Sequence, residues 1–296
     1  MPVKSPLPIR DGVAPSYLWL PEGRWDNMMH FLTEQFPNVS ASTWLSRMAK
    51  HELLDANGES LHAESDAKRG MCIHYYRELE HEPQIPFEER ILFQDEHLLV
   101  VDKPHFLPVT PGGRFLHETL LVRLKKKWGL EYLSPIHRLD RETAGVMLLS
   151  LQFANRGKYQ SLFQERAVKK IYHALAPHLS NLQFPLTYQS RMTEGEKFFV
   201  MREEQGAPNS TTAINIIERR DAFSLYELKP TTGKKHQLRV HLASLGAPIV
   251  NDAFYPVVLP SNEDDYSAPL QLLAKSIAFI DPITGENRYF ESMRRL

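Results

Sequence analysis

The sequence predicts a mixed α+β protein, and three observations carry that expectation. Helical and strand-like spacings both recur along the chain, without the strict strand-then-helix alternation that builds a doubly wound sheet. An apolar content of 42% in 296 residues is ample for a large core and a smaller one. A polar, proline-bearing stretch, HEPQIPFEE from His81, separates a short first part from a long second part. The expected division is an irregular arm over 1–22, a small domain over 23–80, a linker over 81–88 and a main domain over 89–296.

The arm is proline-rich and aperiodic. From Trp25 the spacing Trp25, Met28, Met29, Leu32, Phe36 is helical, and a second short helix opens near Ser40 or Ser42 and carries Trp44, Leu45 and Met48. Leu53 and Leu54, an Asn57-Gly58 turn and Leu61 then read as a small hairpin. In the main domain, Ile91 and Leu92 followed by Leu98 to Val101 predict a strand pair turning at Asp95-Glu96. HETLLVRLKKKWG, from His117, predicts a helix stopped by Gly129. Its last-turn lysines, Lys125 to Lys127, read either as phosphate contacts or as cations suited to a helix C-terminus. ANRGKYQSLFQE predicts another helix and IYHALAP a strand, after which FFVMRE, STTAINIIE and FSLYELKP are strand-like. HQLRVHLASLG predicts a helix with Leu238, Leu242 and Leu245 inward, ending at Gly246.

Composition limits the function. The single cysteine, Cys72, excludes a disulfide framework and fits a reducing, cytoplasmic setting. No stretch approaches the length of a membrane span, and no leader of signal-peptide type is expected. The net charge of −1 conceals an asymmetry: residues 1–88 hold 8 Lys and Arg against 13 Asp and Glu, whereas residues 89–296 hold 27 against 23. The basic part is the one suited to a polyanion.

The stretch SPIHRLDRETAGVMLL, residues 134–149, organises the basic part. Asp140 lies between Arg138 and Arg141 in a polar segment that breaks at Gly145 and becomes the apolar run Val146 to Leu149. That is a loop feeding a buried strand, a place where position is fixed and solvent is within reach. His137, Arg138, Leu139, Asp140, Thr143 and Gly145 closely resemble the catalytic loop of the RluA-type RNA pseudouridine synthases, with Ala144 the one departure. Lys170, Ile171 and Tyr172 resemble a second motif of that family, and TGKKHQLRVHLASLGAPIVND, from Thr232, a third. DKPHFLPVTPGG is similar to a fourth segment, with Phe106 where the family has Gly and Thr110 where it has His. QLLAKSIAFIDPITGE, from Gln271, is similar to the C-terminal signature, so the resemblance spans roughly residues 89–296. The helix, helix and small-strand pattern of 23–80 is similar to the RNA-binding domain named after ribosomal protein S-four, an S4-like module, although its acidic charge argues equally for docking.

The resemblance implies a mainly antiparallel, mixed sheet and an isomerase that converts uridine in ribosomal or transfer RNA to pseudouridine. It implies Asp140 as the nucleophile, Arg239 as the guanidinium that pairs with it bidentately, and Tyr172 as the ring against the target base. Leu238 is the apolar neighbour under the base. His137, Arg138, Arg141, Lys170 and His236 are implied at the substrate, with a surface role equally open for Arg141. No cofactor and no metal are expected: His236 and His241 stand five apart, and His137 with Asp140 makes an incomplete ligand set. The expected partner is RNA and the expected state a monomer. Two rivals remain. A glycoside hydrolase would need a second carboxylate, for which Glu142 and Asp252 are candidates, and an inactive descendant would bind RNA or dock without turnover.

Overall fold

The computed structural model describes residues 5–79, 81–260 and 265–296. The chain forms two units, Met1–Glu82 with Gly113–His117, and Pro83–Gly112 with Glu118–Leu296.

In the smaller unit, strands β1 (Ser16–Trp19), β2 (Leu53–Asp55) and β3 (Cys72–Tyr75) form an antiparallel sheet in the order β1-β3-β2. Helices α1 (Met28–Gln35) and α2 (Ala41–Ala49) lie between β1 and β2 in sequence. Asn27 caps α1 by accepting the N–H of His30, and Ser40 caps α2 by accepting that of Thr43. Phe31, Leu32, Trp44, Leu53 and Ile73 are fully buried in the shared core. The stretch expected to be an irregular arm therefore supplies a strand. SYLW, the proline-free run between Pro15 and Pro21, pairs with β3 in the register Ser16 to Tyr75.

The larger unit is built on a single mixed sheet. Its elements are β4 (Arg90–Gln94), β5 (Leu98–Lys103), α3 (Leu120–Trp128), β6 (Ser134–Pro135), β7 (Ala144–Ser150), α4 (Phe153–Gln164), β8 (Lys169–Pro177), β9 (Leu186–Glu194), β10 (Met201–Glu204), β11 (Ser210–Arg220), β12 (Phe223–Pro230), α5 (Gln237–Ser244), β13 (Leu272–Ile280) and β14 (Asn287–Glu291). The path runs β10-β9-β11-β12-β8-β13-β7-β5-β4, with β14 beside β13 and β6 beside β7. The pairings are antiparallel except β13 with β7. The apolar runs LLVVDK and AGVMLLS are buried along their whole length as β5 and β7, and their register sets Lys103 opposite Gly145.

Three boundaries differ from expectation for local reasons. Helix α3 starts at Leu120 rather than His117 because Thr119 accepts the N–H of Val122 and becomes its cap, while Gly129 closes the helix at φ 63° as expected. Of FFVMRE only Met201 to Glu203 is strand, in β10. A bond from the Gly195 N–H to the Val200 carbonyl closes the turn before it and leaves Phe198 88% exposed. In α5 every residue from Gln237 to Leu242 is buried, polar ones included, and Leu245 is only partly covered.

Gly145 determines how closely β13 approaches. It stands at φ 117°, and a Cβ there would lie 2.2 Å from the carbonyl oxygen of Ala274, the residue it faces across the parallel pairing. Backbone cannot step aside as a flexible side chain can. Gly145→Ala is expected to lower the unfolding free energy by about 3 kcal/mol or more, through strain and overpacking together. Denaturant unfolding checks this, and a midpoint equal to wild type would contradict it.

Candidate active site

Asp140 sits in the turn that precedes β7, where its carbonyl accepts the N–H of Thr143 at 3.2 Å. The loop is tied down from three sides. His137, at its start, accepts the N–H of Leu148 on Nε2 at 3.1 Å and stacks on Phe163. The fully buried Lys103 donates to the carbonyls of Pro104, Leu107 and Arg141 at 3.0, 2.8 and 3.1 Å, which uses all three of its N–H groups. His105 donates from Nδ1 to the Glu142 carbonyl at 2.7 Å. The two peptide carbonyls just after Asp140 are thus gripped by β5 and the segment that follows it.

Arg239 comes from α5, with its side chain only 1% exposed. The sequence suggests a bidentate pair with Asp140, and the structure corrects this. The fork closes on Asp252, with Nε to Oδ2 at 2.8 Å and Nη2 to Oδ1 at 2.7 Å. Asp252 is completely buried and needs the fork, whereas the Asp140 carboxylate keeps 29% of its side-chain surface open. The third nitrogen, Nη1, has no hydrogen-bond partner among the described residues and lies 3.7 Å from Oδ2 of Asp140 and 3.9 Å from Oε2 of Glu142. The rings of Phe254 and Tyr255 flank the guanidinium at 4.8 and 5.4 Å. Because Arg239 holds both of its oxygens, Asp252 is not available as the second carboxylate of a hydrolase.

The cleft above Asp140 has a volume of about 1150 Å³. Tyr172 and Leu238 form its apolar wall and pack into one core cluster. Arg138, Arg141, Arg166, Lys170, Lys234 and Lys235 give it a cationic rim. Arg138 is exposed, Arg141 donates Nε to the Phe106 carbonyl at 3.2 Å, and Lys170 donates to the Thr232 carbonyl at 3.2 Å. His236 opens α5 at φ 54°, with Nε2 3.8 Å from Oδ2 of Asp140. His137, Arg138, Asp140, Arg141, Lys170, Tyr172, His236, Leu238 and Arg239 are therefore all brought to one cleft. Among them, His137 spends Nε2 on backbone. His241 instead faces away, bonded to Ser190, Ser210 and Thr212. Among the described residues no group of three or more His, Cys, Asp or Glu is placed to hold a metal ion, and no helix is long and apolar enough to cross a membrane.

Burial raises the Asp140 carboxyl above its ordinary value, while Arg239 and Lys103 pull it down. Burial and the nearby Asp140 charge push the Tyr172 hydroxyl up, so it keeps its proton at neutral pH. Burial lowers Lys103 to about 7 against the attraction of Glu142 and Asp140. Burial opposes the charge on Arg239, but the hydrogen bonds and attraction of Asp252 override it. Sequence reasoning missed Lys103 and His105. The signal for Lys103 was a lysine ending an otherwise apolar strand, where its ammonium must find acceptors. Asp252 was noticed only as a rival carboxylate, since its bond to Arg239 joins a helix to the loop beyond it.

A carboxylate at the floor of a cation-rimmed cleft, with an aromatic wall wide enough for a base, defines an enzyme that works on a nucleic acid. The sequence pattern of the RNA pseudouridylate synthase family matches residues 97–244. The dual-specificity RNA pseudouridine synthase RluA of Haemophilus influenzae is 31% identical over 223 residues, covering 72% of this chain and 97% of that protein. An uncharacterized RNA pseudouridine synthase of Aquifex aeolicus is 29% identical over 91% of this chain and 90% of its own length. Among solved structures, human RNA pseudouridylate synthase domain containing 1 matches with a TM-score of 0.58 and 27% identity, over 72% of this chain and 86% of that one. The chain belongs to the RluA-type RNA pseudouridine synthases, isomerases that act on RNA.

Two stability measurements test the site's electrostatics. Burial holds His105, His137 and His241 down at about 4 and His236 at about 3, against 6.5 for an open imidazole. Between those values the unfolded chain takes up protons that the folded chain refuses. Stability is therefore full above pH 6.5 and drains as pH falls toward 4, which urea titrations across that range would show. Arg239→Met is expected to cost about 3–5 kcal/mol by stranding Asp252, and Arg239→Met with Asp252→Leu to recover most of it. Equal losses in the single and double variants would contradict the pairing.

Proposed function

We propose that this isomerase converts a uridine in ribosomal or transfer RNA to pseudouridine with Asp140 as nucleophile. The single observation that carries the reading is Asp140 itself: an accessible carboxylate in a clamped loop, within 3.7 Å of a guanidinium already neutralised by another acid. Such a carboxylate is oriented without being consumed by its ion pair. The Haemophilus relative is a dual-specificity RNA pseudouridine synthase, which agrees with either RNA class.

The layout supports one course for the reaction. As the bond from N1 to C1′ breaks, Asp140 bonds to C1′ or takes up the positive charge that develops there. The released uracil turns against the Tyr172 ring and Leu238, its C5 joins C1′ and displaces the Asp140 carboxylate if that had bonded there, the C5 proton leaves and N1 gains one. Nothing is oxidised or reduced. Because the Tyr172 hydroxyl keeps its proton, its part is that of a wall and a donor rather than a resting base. Reaching N1 and C1′ requires the nucleotide to leave its stack, and Arg138, Lys170, Lys234 and Lys235 stand where the flanking phosphates would be held.

Asp140→Asn and Asp140→Ala are expected to fold normally and to show no detectable turnover. The check is pseudouridine mapping on total RNA from cells lacking the gene, rescued with wild-type chain or with Asp140→Asn. One uridine restored by wild type alone supports the reading, and restoration by Asp140→Asn refutes it.

A further inference from the structure

His236 is a non-glycine residue in the left-handed region, at φ 54°, at the N-cap of α5. Residues held there cost energy and persist where the surroundings fix them. Here the strain aims an imidazole between two partners. Nδ1 lies 2.8 Å from the hydroxyl oxygen of Tyr255, and Nε2 faces Oδ2 of Asp140 at 3.8 Å.

The direction of the first bond follows from a third group. The backbone N–H of Met201, at the start of β10, points at the same Tyr255 oxygen at 2.8 Å. A backbone N–H can only donate, so Tyr255 accepts from it and has its own proton to place. Among the described residues the hydroxyl has one other hydrogen-bond partner, Nδ1 of His236. Nδ1 must then accept, which puts the imidazole proton on Nε2. A doubly protonated ring would add an Nδ1–H to the Met201 N–H already at the Tyr255 oxygen and leave the phenolic proton without an acceptor. The charges around the ring agree: Arg239 and Lys235 disfavour a cation, and Glu142 and Asp252 only partly offset them.

We infer that Tyr255 is a positioning residue for the reaction, fixing His236 as the neutral Nε2–H tautomer whose N–H is aimed at Oδ2 of Asp140. Nη1 of Arg239 approaches that same oxygen at 3.7 Å. Two donors thus converge on Oδ2, and Oδ1 is left to meet the ribose carbon. A neutral donor also orients the carboxylate without a second full positive charge, which would make it a weaker nucleophile. The long His236 and Arg239 approaches tighten when RNA closes the cleft, as catalytic hydrogen bonds commonly do. The inference rests on the reading of Asp140 as nucleophile and adds which of its oxygens reacts and what holds the other.

The test uses the full chain labelled with 15N-histidine. Long-range proton–nitrogen spectra at neutral pH report the His236 tautomer directly, with the signal assigned by its loss in His236→Gln. A single Nε2–H tautomer is expected in wild type, and a mixture in Tyr255→Phe. For Tyr255→Phe, kcat on a uridine-containing RNA is expected to fall roughly tenfold, the scale of one lost hydrogen bond to a charged group, with KM unchanged. His236→Gln, which retains an N–H on that side, is expected to keep more activity than His236→Leu. An Nδ1–H or doubly protonated His236 in wild type overturns the inference even if Tyr255→Phe fails to fold, and so does a Tyr255→Phe variant with unaltered tautomer and kcat. Turnover surviving in Asp140→Asn overturns the nucleophile reading and this inference with it. Loss of turnover in Asp140→Asn beside a wrong tautomer overturns this inference alone.

Discussion

The site depends on one constraint: the Arg239 charge is buried and must be neutralised inside the protein. Asp252 does this through two short bonds, and because a guanidinium has three nitrogens, one remains. That leftover N–H group gives Asp140 a cationic neighbour without binding it up. Had Asp140 carried the fork itself, its oxygens would be occupied and its carboxylate drawn below the surface. Two aspartates far apart in sequence thus meet at one arginine, Asp252 holding its fork and Asp140 lying beside its third nitrogen.

The second requirement is position. A loop leaves the Asp140 carboxylate open to the cleft, but a loose loop would not hold it in one place. The conflict is resolved from beneath. Lys103 ends the fully buried β5 and spends its ammonium on three carbonyls, His105 takes another, and His137 ties the near end of the loop to β7. At the far end, Gly145 lets β13 come so close that the ribbon has little room to shift. Phe106, at φ 66°, holds a backbone conformation more natural to glycine and is braced by Phe87 and Tyr266. This gives a physical account of the position where the sequence departs from the family pattern.

Much of this was legible in the sequence because it lay in contiguous words. HRLD followed by an apolar run announced a loop on a buried strand, and the leucine spacing of HQLRVHL announced α5. The strand pair around Asp95-Glu96 and the Gly129 stop were readable for the same reason, since turn chemistry is local. What could not be read was pairing between distant segments. Nothing in a linear chain shows that Asp252 would take the fork from Asp140, or that β13 would run parallel to β7 at Gly145. The strand in the N-terminal stretch was hidden by the prolines on either side of it, Pro15 and Pro21. Helix α5 carries Gln237, Arg239 and His241, so nothing in its residue pattern signalled that every position from Gln237 to Leu242 would be buried.

The grip on the Asp140 loop is made through peptide oxygens, which every amino acid supplies. Lys103 and His105 hold positions 141 and 142 whatever side chains those positions bear. Exchanging Arg141 or Glu142 would therefore alter the charge beside Asp140 and the contacts those side chains make, among them the bond from Arg141 to the Phe106 carbonyl, while leaving in place the peptide oxygens that hold the loop. The loop is anchored in its backbone, and its side chains set the charge around the carboxylate.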